Sequence, residues 1–280
     1  VTAARPMARS AEAGARPAAA APPESVRTSP ASKAAEAAAA GGDWREALRA
    51  VDAQPTDLST PAILSKATLP PDASKSPSAS GEPRVVGANS APSGLEHLTT
   101  LDAVAAEIAK CTACELHKTK IKDVPGEGNP LARFVVVGEA PGQTEDEEGR
   151  PFVGKSGDLL TKILDAIGFK REDVFICNVL KHRPPGNRNP TAPEIEVCRP
   201  FLLRQLELLQ PKVILAVGTF AAQTLLETDS PIGKLRGLEH RYHGIPLVAT
   251  YHPAALLRNP NWKRPAWEDV QLARRIFDRP

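Results

Sequence analysis

Polar side chains of three kinds follow short apolar runs in this chain: Glu139 after Arg133 to Val137, Asn178 near the end of Val174 to Val179, and His252 after Leu247 to Tyr251. A carboxylate can hold a proton or face a cation. An amide reads donors and acceptors on one molecular edge, and an imidazole does either near neutral pH. A second group has ligand chemistry. Cys111-Thr112-Ala113-Cys114 is a C-x-x-C pair and Cys198 lies further along, a spacing that suggests metal ligands and a reducing compartment rather than a disulfide scaffold. A third group suits anions: Lys155-Ser156-Gly157 opens a helix, whose free N–H groups can hold a phosphate.

The elements that must position these groups are legible from residue 95 onward. Leu98, Leu101, Val104 and Ile108 recur at helical spacing and lead into Cys111. Leu159, Leu160, Ile163, Leu164 and Ile167 form one apolar helix face, which Gly168 ends. Residues 194–209 carry Ile195, Phe201, Leu202, Leu206 and Leu209 on one side, and further helices are expected at Thr219 to Leu226 and over 266–277. Between them lie β-branched runs at 133–137, 174–179, 213–217 and 247–251. Strands alternating with helices predict an α/β fold: a three-layer α/β/α domain around a central four-stranded, mainly parallel sheet. Ligands of such sheets bind at the carboxyl ends of the strands, where Glu139, Asn178 and His252 fall.

Before residue 95 the composition changes to Ala, Pro, Ser, Arg and Glu. Such a stretch buries too little apolar surface to offset its ordering entropy, so 1–95 is expected to be a disordered arm and 96–280 the domain. Within the arm, Asp43 to Arg49 with Trp44 and Leu48 is a candidate partner-binding island. The formal charge of +2 permits nucleic-acid binding without requiring it. No apolar run approaches the roughly eighteen residues that span a membrane.

Several blocks, in order, resemble the iron–sulfur branch (family 4) of the uracil-DNA glycosylases. Gly138-Glu139-Ala140-Pro141-Gly142, with Glu145-Asp146 and Gly149-Arg150-Pro151-Phe152-Val153-Gly154, is similar to the first motif. Asn178 with Arg183-Pro184-Pro185-Gly186-Asn187-Arg188 is similar to the second, and His252-Pro253-Ala254 with Leu256-Leu257-Arg258 to the third. Leu235-Arg236-Gly237 also resembles that family. The likeness runs from about Cys111 to Phe277 and does not reach the arm.

The resemblance implies hydrolysis of the N-glycosidic bond of uracil in DNA by base flipping, the first step of base excision repair. It implies Phe152 as the stacking face, Asn178 as the reader of O4 and N3–H, and His252 as the donor to O2. Glu139 and Ala140 would line the pocket, with the Glu139 carboxylate orienting water or favouring a cationic sugar. Lys155, Ser156, Arg183, Arg188 and Arg258 would meet phosphates, and Leu256 and Leu257 would wedge into the gap left by the flipped base. No Lys is placed for lyase chemistry.

The family holds a 4Fe–4S cluster on four Cys, the third directly before the Arg-Pro-Pro segment. Here that position is His182, so the implied set is Cys111, Cys114, His182 and Cys198. Cys177 competes as fourth ligand, but its place on a strand beside Asn178 reads as core, and structural zinc is the competing metal. Rival functions are a uracil-DNA binding or crosslinking relative, and an inactive scaffold recruiting repair proteins through the arm. The expected protein is a cytoplasmic, nucleoid-associated monomer whose partner is uracil-containing DNA.

Overall fold

The structure, a computed structural model, describes residues 81–87 and 93–280. Most of the expected arm, including the Trp44 island, lies outside the described residues.

Four strands form the middle of the sheet: β3 (Phe134–Gly138), β4 (Phe175–Asn178), β5 (Val213–Val217) and β7 (Ile245–Thr250). They run parallel in the order β7-β5-β3-β4, as the alternating pattern predicts. The sheet has seven strands rather than four. The additional ones are β1 (Val85–Val86), β2 (Glu127–Gly128) and β6 (Glu239–Tyr242), all at its margins. They escape sequence reading because β1 and β2 are two residues long and β6 carries Glu239, His240 and Arg241. β6 reaches β7 through a two-residue turn in which His243 and Gly244 take φ of 48° and 81°, the conformation that tight hairpins require. β1 pairs with β6, and Ser93 hydrogen-bonds Glu207, so the folded unit takes in residues before 95.

Side chains alternate across the central strands, so each strand feeds two cores. Val136, Ile176, Leu215 and Val248 face one side. There they meet α3 (Lys155–Ala166), α7 (Pro253–Arg258) and α8 (Lys263–Phe277). Val135, Val137, Cys177, Ile214 and Ala249 face the other, against α4 (Ala192–Leu209), α5 (Thr219–Leu226) and α6 (Ile232–Leu235). Outside that layer α1 (Leu101–Lys110) packs Val104 and Ile108 on Phe201 of α4. The remaining short helix, α2 (Gln143–Glu148), follows β3 at the rim. Caps set the ends. Thr100 accepts from Ala103 at the start of α1, and Gly168 with φ 81° closes α3 as expected.

One buried ion pair ties the end of α6 to α8. The Arg236 guanidinium donates to both oxygens of Asp269 at 3.0 and 2.9 Å and to the Pro265 carbonyl at 2.6 Å. Thr250 donates its hydroxyl to the same carboxylate at 2.8 Å. Removing one partner leaves the other buried and uncompensated. Asp269→Ala is therefore expected to cost about 3–5 kcal/mol, read as a lowered denaturation midpoint. An unchanged midpoint would show that the pair is not what fixes α8.

Candidate active site

The carboxyl ends of the four parallel strands form one rim, and register places Gly138 beside Asn178 on it. This neighbour relation demands glycine. A Cβ at residue 138 would lie 2.4 Å from Asn178 Oδ1 and 2.5 Å from Phe152 Cζ. The missing side chain is thus the space in which the amide and the aromatic ring meet. Phe152 also lies against His252, ring centroids 5.5 Å apart with planes 29° from parallel. Phe152, from the loop after α2, thus lies beside both Asn178 at the end of β4 and His252 after β7.

Asn178 is almost fully buried, and its Oδ1 accepts no hydrogen bond. Leaving an amide oxygen dry and unpaired costs about 1–3 kcal/mol, so native proteins rarely do it without reason. Phe152 carries a second cost. Its φ of 51° is left-handed, a conformation that adds about 1–3 kcal/mol for a bulky residue. An unpaired acceptor and a strained ring at one spot are what a site made for a planar polar ligand would hold.

His252 caps α7: its Nδ1 accepts from the Ala254 N–H at 3.1 Å. That bond leaves the proton on Nε2, so the neutral ring is a donor at its other nitrogen. Burial, and next the Arg258 charge, push its pKa down from 6.5 to about 4. Glu139 stands half-buried on the rim, where burial alone pushes its carboxyl up to about 7. Ala140 packs against the core on the opposite face of the sheet rather than toward Phe152.

The expected phosphate and wedge residues separate. Lys155 and Arg258 are exposed and Ser156 is partly so, at or near the rim. Arg188 is committed elsewhere: it clamps Glu194 at 2.9 and 2.6 Å, and Glu194 in turn accepts the Thr191 N–H at the start of α4. Arg188 thereby supports the Glu194 carboxylate that caps α4, while its own side chain stays 43% exposed. Arg183 donates to Asn187 and sits 3.9 Å from Asp146. Leu256 lies in the core at 2% exposure and cannot act as a wedge; Leu257, at 49%, remains free to do so.

On the other face of the sheet lie the cysteines. Cys111, Cys114 and Cys198 are near enough to interact electrostatically, and Cys198 receives a backbone N–H bond from Lys181. Burial pushes the Cys198 thiol up to about 11. His182 adjoins this bond. Its Nε2 bonds Asp123 at 2.9 Å while its Nδ1 is buried and unpartnered. A carboxylate on one ring nitrogen and a free lone pair on the other is how metal-bound histidines are held. Among the described residues no three such side chains stand close enough to hold a single metal ion. Three thiols and one imidazole are donor types that an iron–sulfur cluster or a tetrahedral zinc can accept. Cys177 is fully buried, on the same face as Cys198.

Residues without a strand-end or motif signal complete the site. Lys181 is fully buried, its ammonium donating to the Asn178 carbonyl and to Gln205 Oε1, both at 2.7 Å. Gln205 donates onward to the Pro125 carbonyl at 2.7 Å. Lys181 reaches the Asn178 carbonyl only three residues back, whereas Gln205 and Pro125 join it through contacts distant in sequence.

A family model described as the uracil DNA glycosylase superfamily matches residues 125–271. A type-4 uracil-DNA glycosylase of Archaeoglobus fulgidus is 48% identical over 171 residues, covering 58% of this chain and 86% of that one. One from Thermotoga maritima is 44% identical over 178 residues, covering 62% and 93%. A type-5 uracil-DNA glycosylase of Pyrobaculum aerophilum is 32% identical over 152 residues, covering 48% and 67%.

For His252 the expected NMR titration shows the Nε2–H tautomer and a midpoint near pH 4. The folded pKa lies below the unfolded one, so its contribution to stability is full above 6.5 and is lost as pH falls toward about 4. A midpoint at or above 6.5 would contradict the burial that sets it.

Proposed function

The chain belongs to the uracil DNA glycosylase superfamily, and we propose that it hydrolyses the N-glycosidic bond of uracil in DNA. The observation that carries this reading is the buried, unpartnered Oδ1 of Asn178 beside the Phe152 ring. Uracil offers an N3–H donor for that oxygen and an O4 acceptor for the amide nitrogen. Cytosine has no N3–H and places a donor at the 4-position, so a fixed amide fits it poorly.

The target nucleotide leaves the stack at a cost of a few kcal/mol, least in single strands. Its base then lies on Phe152 with Asn178 on its edge. As the bond between C1′ and N1 breaks, its electron pair passes to the base and the sugar becomes cationic. The Nε2–H of neutral His252 donates to O2, where the charge gathers. Water adds at C1′ and gives up a proton, which balances the charge of the departing uracil anion and completes hydrolysis. The Glu139 carboxylate faces that water or the cationic sugar. Lys155, Ser156, Arg183 and Arg258 would hold phosphates, and Leu257 would fill the vacated stack.

Cys111, Cys114, Cys198 and His182 would hold a 4Fe–4S cluster, which when bound joins α1 to the domain as a structural support. The electrostatic proximity of Cys198 to Cys111 and Cys114, and the buried, unpartnered Nδ1 of His182, support that set. The enzyme would act wherever the DNA is, as a monomer, with the arm as a tether or partner segment.

His252→Ala is expected to lower uracil excision about 10²–10³-fold, and Asn178→Ala to lower it at least comparably, with the thermal transition retained. Full activity in either variant overturns the assignment, as does a denaturation-resistant protein–DNA band in place of released uracil. Protein purified without oxygen is expected to show broad visible absorption and about four iron atoms per chain; one zinc and no iron would reassign the ligands.

A further inference from the structure

Phe152 keeps its left-handed backbone only because neighbouring groups impose it. Gly157 removes an obstacle, since a Cβ there would lie 1.9 Å from the Phe152 carbonyl oxygen. Glu145 supplies the hold. It sits in the first turn of α2 at 8% exposure, and one carboxylate oxygen, Oε1, accepts the Val153 N–H at 3.0 Å and the Gly154 N–H at 3.1 Å. These are the two residues directly after Phe152, so the chain is fixed where it leaves the ring. Asp146, the next residue, braces the other side by accepting the Ile121 N–H at 2.9 Å. α2 is thereby bonded to the loops on both of its sides.

We infer that Glu145 is a positioning residue for the base-stacking ring, acting through the two N–H bonds that hold Phe152 in place. The inference rests on reading Phe152 as the stacking face. Glu145 does this as an acceptor at a set reach. Its charge is also felt at His252, where it acts to raise the pKa, behind burial and the Arg258 charge. Reach and charge can be separated. Glutamine keeps the length and a carbonyl acceptor but loses the charge; aspartate keeps the charge but withdraws the oxygens by one methylene.

The test measures steady-state uracil excision from a single-stranded uracil-containing oligonucleotide by the full chain. Glu145→Gln and Glu145→Asp are each made alone and together with Phe152→Ala. Glu145→Gln is expected to stay within about threefold of the unsubstituted protein, and Glu145→Asp to lose on the order of tenfold in kcat/KM. In the Phe152→Ala background Glu145→Asp should have no further effect, because residues acting as a unit are not additive. An active Glu145→Asp with an inactive Glu145→Gln would overturn the inference in favour of a direct role for the charge. So would a Glu145→Asp loss that persists undiminished without Phe152. If the unsubstituted protein releases no uracil, the functional reading fails first, and that outcome is distinct from either.

Discussion

Gly138 and Asn178 are opposed in the register of two parallel strands, and the site is built around the absence of a side chain at the first of them. Any larger residue would collide with both the amide oxygen and the Phe152 ring. That single vacancy lets the Phe152 ring and the Asn178 amide approach each other across Gly138. It also leaves the Asn178 Oδ1 without a protein partner, a cost that the fold carries. The strained Phe152 backbone adds to that cost at the same place.

The sheet separates this site from the cysteines. Ile176 and Asn178 belong to the strand face of Phe152, α3 and α7, while Cys177 belongs to that of α4 and Cys198. Lys181 crosses between them. Its side chain holds the Asn178 carbonyl and Gln205 of α4, while its backbone N–H holds Cys198. Burial pushes its ammonium pKa down, yet the Asn178 carbonyl and Gln205 Oε1 are oxygens well placed for a charged donor. A support on the cysteine side thus sets the position of the residue that would read the base.

Much of this was open to sequence reasoning. The four parallel strands, the helices that cover them and the strand-end residues Glu139, Asn178 and His252 follow from hydrophobic period and the geometry of parallel sheets. The marginal strands did not, since a two-residue strand has no period to detect. Arg188 and Leu256 sit in motif segments, and a motif fixes where a residue falls in the chain but not which way it faces. Arg188 turned to Glu194, and Leu256 turned to the core.

By itself the sequence determined the layer order, the edge of the sheet where chemistry gathers and the types of group available there. Those depend on spacing along the chain, which is a local property. Tertiary structure decided which groups meet: the unpaired Asn178 oxygen, the Glu145 bonds behind Phe152, and the Nδ1 of His182 left free by Asp123. Each joins residues far apart in sequence or on different elements, and such meetings exist only once the sheet has brought its strands into register.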